Sequence, residues 1–138
     1  MLAEVHAAWG YLELDRGRPA EAVAHLAPAT RTFDKADLLS PLLPALLDLS
    51  EAAFRADKND LSMNALGAVE RELDRYPGLL PHYNYRVAYL LTLGGRFADA
   101  RTFIARAKAA GQGTGNDWAV MASDTLAQKI QDKPDVPA

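Results

Sequence analysis

Eight consecutive residues, His82 to Tyr89 (HYNYRVAY), place three tyrosines, a histidine and Arg86 within about two turns of any helix that carries them. Tyrosine gives a broad, stiff contact surface and a hydroxyl, so this grouping suits recognition of a peptide or a partner protein better than bond-making chemistry. The other chemistry-bearing residues point the same way by their spacing. His6, His25 and His82 are scattered and no HExxH pattern accompanies them, so no metal site is expected. The chain has no cysteine, which excludes disulfides, thiolate zinc sites, iron–sulfur clusters and a cysteine nucleophile. The run from Gly111 to Gly115 (GQGTG) follows a helical pattern rather than a strand and lacks the Gly-Lys-Ser/Thr ending of a phosphate loop. It reads as a flexible linker. Glu13, Asp15 and Glu51, like the mixed charges from Glu70 to Arg75, read as solvated helix faces, and no Gly-x-Ser-x-Gly elbow occurs. No catalytic residue and no cofactor are therefore expected.

The chain that must position these residues is 138 residues long, 49% hydrophobic and 24% charged, which suits one folded domain. A formal charge of −3 lacks the basic footprint of a nucleic-acid binder. The start, MLAEVHAAWG, carries an acid at Glu4 and no basic segment leading into an apolar core, so no secretory leader is read there. The longest apolar stretch, Leu39 to Leu49, is interrupted by Pro41, Pro44 and Asp48, so no membrane insertion is expected. The compartment stays open: a complete chain would be cytoplasmic, a fragment of a membrane protein periplasmic.

Apolar residues recur at spacings of three and four almost throughout, and the chain is expected to be all-α. Helices are expected at about 3–16, 19–31, 41–57, 60–75, 80–93, 97–110 and 116–132. Gly17, Pro19, Pro41, Pro77-Gly78 and Gly94-Gly95 punctuate them, Asn59 or Asp60 is expected to cap the fourth, and Asn116 or Asp117 the seventh.

The chain also repeats. A Gly-Arg pair (Gly17-Arg18, Gly95-Arg96) is followed by an alanine (Ala22, Ala100), an aliphatic residue (Leu26, Ile104) and a second alanine (Ala29, Ala107). A middle unit runs Asp60, Ala65, Val69 and Glu72. Seven residues before each starting Gly or Asp stands a small residue, Gly10, Ala53 or Ala88, and small residues on both helices let a hairpin close tightly. This pattern resembles the tetratricopeptide repeat, a helix–turn–helix unit of about 34 residues. The resemblance covers roughly residues 3 to 110 and is fullest in the third unit. It departs from the family at His6 and Glu13, where large apolar residues are usual, at Pro28 inside the second helix, and in nine extra residues, DKADLLSPL, expected to form a longer connection or an added turn.

The resemblance implies an α–α superhelix: three hairpins at about 3–31, 41–75 and 80–110, a capping helix at 116–132, all in one domain 1–132, and a disordered tail 133–138. In such arrays the first helix of each pair lines a concave face. An aromatic residue stands eleven positions before each diagnostic alanine, namely Tyr11, Phe54 and Tyr89, and Tyr85, His82, Asp57 and Thr92 fall on the same expected face. These seven residues are the expected partner-binding set, with packing between hairpins as the alternative role of Tyr11 and Phe54. Trp118, Met121, Ala122, Leu126 and Ile130 are expected to form the stripe by which the last helix covers the third hairpin, the alternative being a docking helix for another chain.

The implied function is a non-catalytic scaffold that binds a peptide or partner protein. A second reading makes the chain the soluble helical portion of a larger bacterial protein. GYLELDRGRPAEAVAHLAPA (Gly10 to Ala29) resembles repeat regions of large transcriptional activators. RYPGLLPHYNYRVAYLLTLGGRFADARTFIARAKA (Arg75 to Ala109) resembles the soluble tail of membrane O-antigen ligase and oligosaccharyltransferase relatives.

Overall fold

A computed structural model describes residues 2–137. Among them the chain is all-α: α1 (Ala3–Asp15), α2 (Pro19–Lys35), α3 (Leu39–Arg55), α4 (Asn59–Glu70), a 3-10 turn (Pro77–Leu79), α5 (Leu80–Leu93), α6 (Phe97–Thr114) and α7 (Asp117–Lys129). No strand occurs among the described residues. The residues divide into two compact units, one ending at Arg71 and the other beginning at Glu72.

In the first unit α1 packs on α2, α2 on α3 and α3 on α4, and α1 also meets α3. The small residues picked out by the repeat are what allow this. Gly10, Ala22, Ala53 and Ala65 are all buried, and a Cβ built on Gly10 would stand 2.5 Å from Leu26 Cγ, so α1 and α2 touch at a distance only glycine permits. Leu14, Val23, Leu26 and Leu49 fill the core around them. A second cluster, Ala29, Phe33, Leu42 and Ala45, closes the far ends of α2 and α3. Glu13, the polar departure from the repeat pattern, is buried at the end of α1 with Arg16 and Arg18 each 3.6 Å from its carboxylate.

Five helix ends close in the same way. A residue in the left-handed region (Gly17, Asp37, Asp57, Gly95 or Gly115) is followed by an amide that reaches back five residues. These bonds run from Arg18 to Glu13, Lys58 to Ala53, Arg96 to Leu91 and Asn116 to Gly111, each at 2.8 Å, and from Leu38 to Phe33 at 2.9 Å. The segment DKADLLSPL is accordingly not an extra connection. It is the end of α2, one such turn and the start of α3, and the added residues lengthen both helices to 17 residues each. Pro28 lies inside α2, and Pro41 sits in the first turn of α3, where a missing amide leaves no intrahelical bond unmade. Asn59 and Asp60 lie inside α4; Lys58 holds the cap position, with no side-chain cap bond. α4 stops at Glu70, short of the expected 75, in the charged run.

The second unit follows the order of the first three helices. α5 packs on α6, α6 on α7, and α5 meets α7. Adding 78 to a residue number carries the start of α2 to that of α6 (97 − 19 = 78) and the start of α3 to that of α7 (117 − 39 = 78). The same offset carries left-handed Gly17 to Gly95 and Asp37 to Gly115. Thus α7 occupies the sequence place of α3 in an ungapped internal copy. Ala88, Phe97, Ala100, Ile104, Leu126 and Ile130 form its core.

Two expectations fail in this unit. The run Gly111 to Gly115 is no linker: α6 continues through Thr114, and buried Gly111 lets α7 approach so closely that a Cβ there would lie 3.1 Å from Ala119 Cβ. The stripe α7 buries is Ala119, Ser123, Leu126 and, at its cap, Ile130, whereas Trp118 and Met121 are exposed. The tail expected to be disordered makes several contacts up to Val136, and Ala138 lies outside the described residues. Val136 donates its amide to Gly95 O at 3.0 Å, Asp135 accepts from the Ala98 amide at 2.9 Å, and Arg101 donates to the Ile130 and Lys133 carbonyls at 2.7 and 2.6 Å.

Candidate functional site

The tyrosine-rich segment lies on α5, and its aromatic residues meet α7. His82 and Trp118 stack with ring centroids 5.2 Å apart, Tyr85 meets Trp118 edge-on at 5.3 Å, and Tyr85 stacks on Tyr89 at 6.4 Å. Asn116 ties the group together. Its Oδ1 accepts the Ala119 amide at 3.0 Å and so caps α7, which turns its Nδ2 toward His82 Nε2 at 3.1 Å. With Oδ1 committed to the cap, the amide nitrogen donates and His82 Nε2 accepts, so the ring proton sits on Nδ1 and the ring is neutral. Burial and then the Arg86 charge push the His82 pKa down in the same direction.

The structure brings His82, Tyr85 and Tyr89 together with Trp118, a residue the sequence had assigned to a buried stripe. Thr92 is half-buried at the far end of α5, where its hydroxyl donates to the Ala88 carbonyl at 2.9 Å.

The first unit holds a different surface. Between α1 and α3 runs an open groove of about 460 Å³. Tyr11, 54% exposed, and Leu12, 49% exposed, form one wall together with Ala7 and Ala8. Pro41, Pro44 and Ala45 form the other, and the buried ring of Phe33 from α2 forms the floor. The ionisable groups on the lining, tyrosine aside, are Glu4 and Asp48, and no lysine or arginine lines it. The groove exists because three alanines face it where larger side chains would meet. Of the expected first-unit residues, only Tyr11 lines it. Phe54 is half-buried on the last turn of α3, away from this lining, and Asp57 is the left-handed residue that closes α3.

A third grouping was not foreseen. His6 Nδ1 lies 3.0 Å from His25 Nδ1, and Trp9 stacks on His25 at 5.1 Å. The antiparallel register set by Gly10 against Ala22 and Leu26 carries the two histidines together, and that register was the signal in the sequence. Among the described residues no group of three or more His, Cys, Asp or Glu converges in a way that could hold a metal ion.

No protein-family model, no curated protein and no solved structure matches the chain. Among the described residues no helix is long and apolar enough to cross a membrane.

Proposed function

We propose that the protein is a non-catalytic interaction module, a short stack of tetratricopeptide-like hairpins that holds an extended segment of a partner protein. The observation that carries this reading is the groove between α1 and α3, with its exposed Tyr11, exposed Leu12 and apolar floor. An exposed tyrosine beside an apolar trough provides contact area at small entropy cost, as interaction surfaces require. The repeated small residues and the repeated turn geometry support the hairpin reading. The hairpins are longer than the usual unit of about 34 residues, since successive pair-closing turns lie 40 residues apart (57 − 17 = 40). In this reading Tyr11 is the principal contact, and the face of α5 with Tyr85, Tyr89 and His82 is a second contact patch.

The test is selection of peptides from a random displayed library on the purified protein, followed by measured affinities. Enriched peptides are expected to bind about tenfold more weakly to Tyr11→Ala, a loss of about 1.4 kcal/mol. Enriched peptides that ignore Tyr11→Ala, or no enrichment at all, would sink this reading.

A further inference from the structure

The two histidines that join α1 to α2 leave room for one proton between them. His6 Nδ1 and His25 Nδ1 lie 3.0 Å apart, and the ring centroids lie 5.3 Å apart. The excess of 2.3 Å (5.3 − 3.0 = 2.3) is what the two imidazole half-widths contribute, so both nitrogens lie on the line between the rings and face each other. Lone pairs set this way aim at one another rather than at a common third point. Among the described residues no aspartate, glutamate or third histidine joins the two rings in a set that could hold a metal ion. The arrangement therefore suits a proton. A neutral pair satisfies the contact with one Nδ1–H donor and one bare Nδ1 acceptor. A first added proton goes to the donor's Nε2 and strengthens the bond, because a charged donor binds its acceptor more tightly. A second must go to the acceptor's Nδ1, where it removes the acceptor and sets two like charges against each other. Trp9 decides which ring donates. Its indole stacks on His25 at 5.1 Å with 16° between the planes, which favours the cation on His25 and leaves His6 as the acceptor.

We propose that His6 and His25 form a single-proton latch on the first hairpin, closed while His6 Nδ1 is bare and opened when that nitrogen is protonated. The latch acts on α1, whose start has no side-chain cap and whose Ala7, Ala8 and Tyr11 form one wall of the groove. Both rings are half-buried, so solvent protons reach them in the folded chain. On the helix faces that carry the pair, α1 offers Glu13, which is held by Arg16 and Arg18, and α2 offers Glu21, exposed one turn before His25. Glu4 of α1 and Asp48 of α3 line the groove, and Glu51 of α3 pairs with Arg55. No carboxylate among these comes together with both rings, so a second charge on the pair meets no anion placed to hold it.

The latched pair carries at most one positive charge and the same two residues in the unfolded chain carry two, so the unfolded state binds more protons in acid and the first unit loses stability as pH falls. In a Trp118→Phe background Trp9 is the chain's remaining tryptophan and reports on the first unit. There the unfolding constant read from urea titration is expected to rise about tenfold between about pH 6 and 5. His6→Asn puts an amide oxygen, which takes no proton, where the acceptor nitrogen stands. It is expected to keep the Trp9 transition at neutral pH and to lose this acid response. An equal acid response in the parent and in His6→Asn would overturn the latch. A measurement on the unaltered protein stands apart from the folding of any variant. Nitrogen NMR of the isotopically labelled chain is expected to show one proton coupled to both Nδ1 nitrogens at about pH 7, and to lose that coupling at about pH 5. No coupling at the higher pH, or coupling that persists at the lower, would equally overturn it.

Discussion

The two units place their first and third helices side by side in the same chain order, yet one leaves a groove and the other a seam filled with rings. The difference traces to a few positions. On α1 and α5 it is Ala7, on the lining of the groove, against Tyr85, whose ring meets Trp118 of α7. Beneath them it is Phe33 against Gly111: a buried phenylalanine stands between α2 and its neighbours in the first unit, whereas a glycine lets α7 press on α6 in the second. A helical repeat can thus keep its backbone pattern while the bulk at a few side-chain positions decides whether a face closes on itself or stays open. In the second unit Tyr85 and His82 pack on Trp118, whereas in the first Tyr11 stays exposed.

Each unit contains one tryptophan, Trp9 in the first and Trp118 in the second, so fluorescence follows them separately during unfolding. The largest expected effect is that of Phe33→Ala. This side chain is 1% exposed, and its removal should destabilise the first unit by about 3–5 kcal/mol, seen as an earlier Trp9 transition in urea. If Trp118 responded first, the contrast between the two floors would be wrong. Next is Gly10→Ala, which forces a Cβ to within 2.5 Å of Leu26 Cγ and should cost about 1–3 kcal/mol in the same Trp9 transition. The second unit already carries an alanine, Ala88, at the matching position, so a harmless Gly10→Ala would show that the two hairpins close alike.

The smallest effect expected is the pH response of the second unit. Because the folded pKa of His82 lies below 6.5, the folded unit binds fewer protons than the unfolded chain. The contribution is therefore complete above pH 6.5 and lost as pH falls through the folded pKa. Asn116→Asp keeps the helix cap but offers His82 a carboxylate, so the pKa should rise and the pH dependence reverse sign. Histidine NMR titration of both proteins checks this, and an unmoved pKa in the variant would deny the contact between α5 and α7 its role.

The hairpin contacts were legible in the sequence because a close approach of two helices needs small residues at a fixed separation, and Gly10, Ala22, Ala53, Ala65, Ala88 and Ala100 are all buried. The helix carrying His82 to Tyr89 was legible for a similar local reason. Trp118 was misplaced because a helix turns about 100° per residue, so a stripe through Trp118 and Met121 and one through Ala119 and Ser123 differ by a single step. Large apolar residues argued for the first stripe, and the glycine-mediated contact with α6 selects the second. The groove was out of reach because its walls and floor come from three helices. Neither Phe33 nor Pro44 carries any local sign of meeting Tyr11.

The shared turn geometry arises in two thermodynamic ways. Asp37 and Asp57 adopt φ of 53° and 60°, a region where a side chain crowds the backbone, whereas Gly17, Gly95 and Gly115 reach the same region without that crowding. Under the offset of 78, Asp37 before α3 corresponds to Gly115 before α7. The turn that presents the open groove therefore carries its cost as steric strain in the folded chain, while its copy carries it as conformational freedom surrendered when the chain folds.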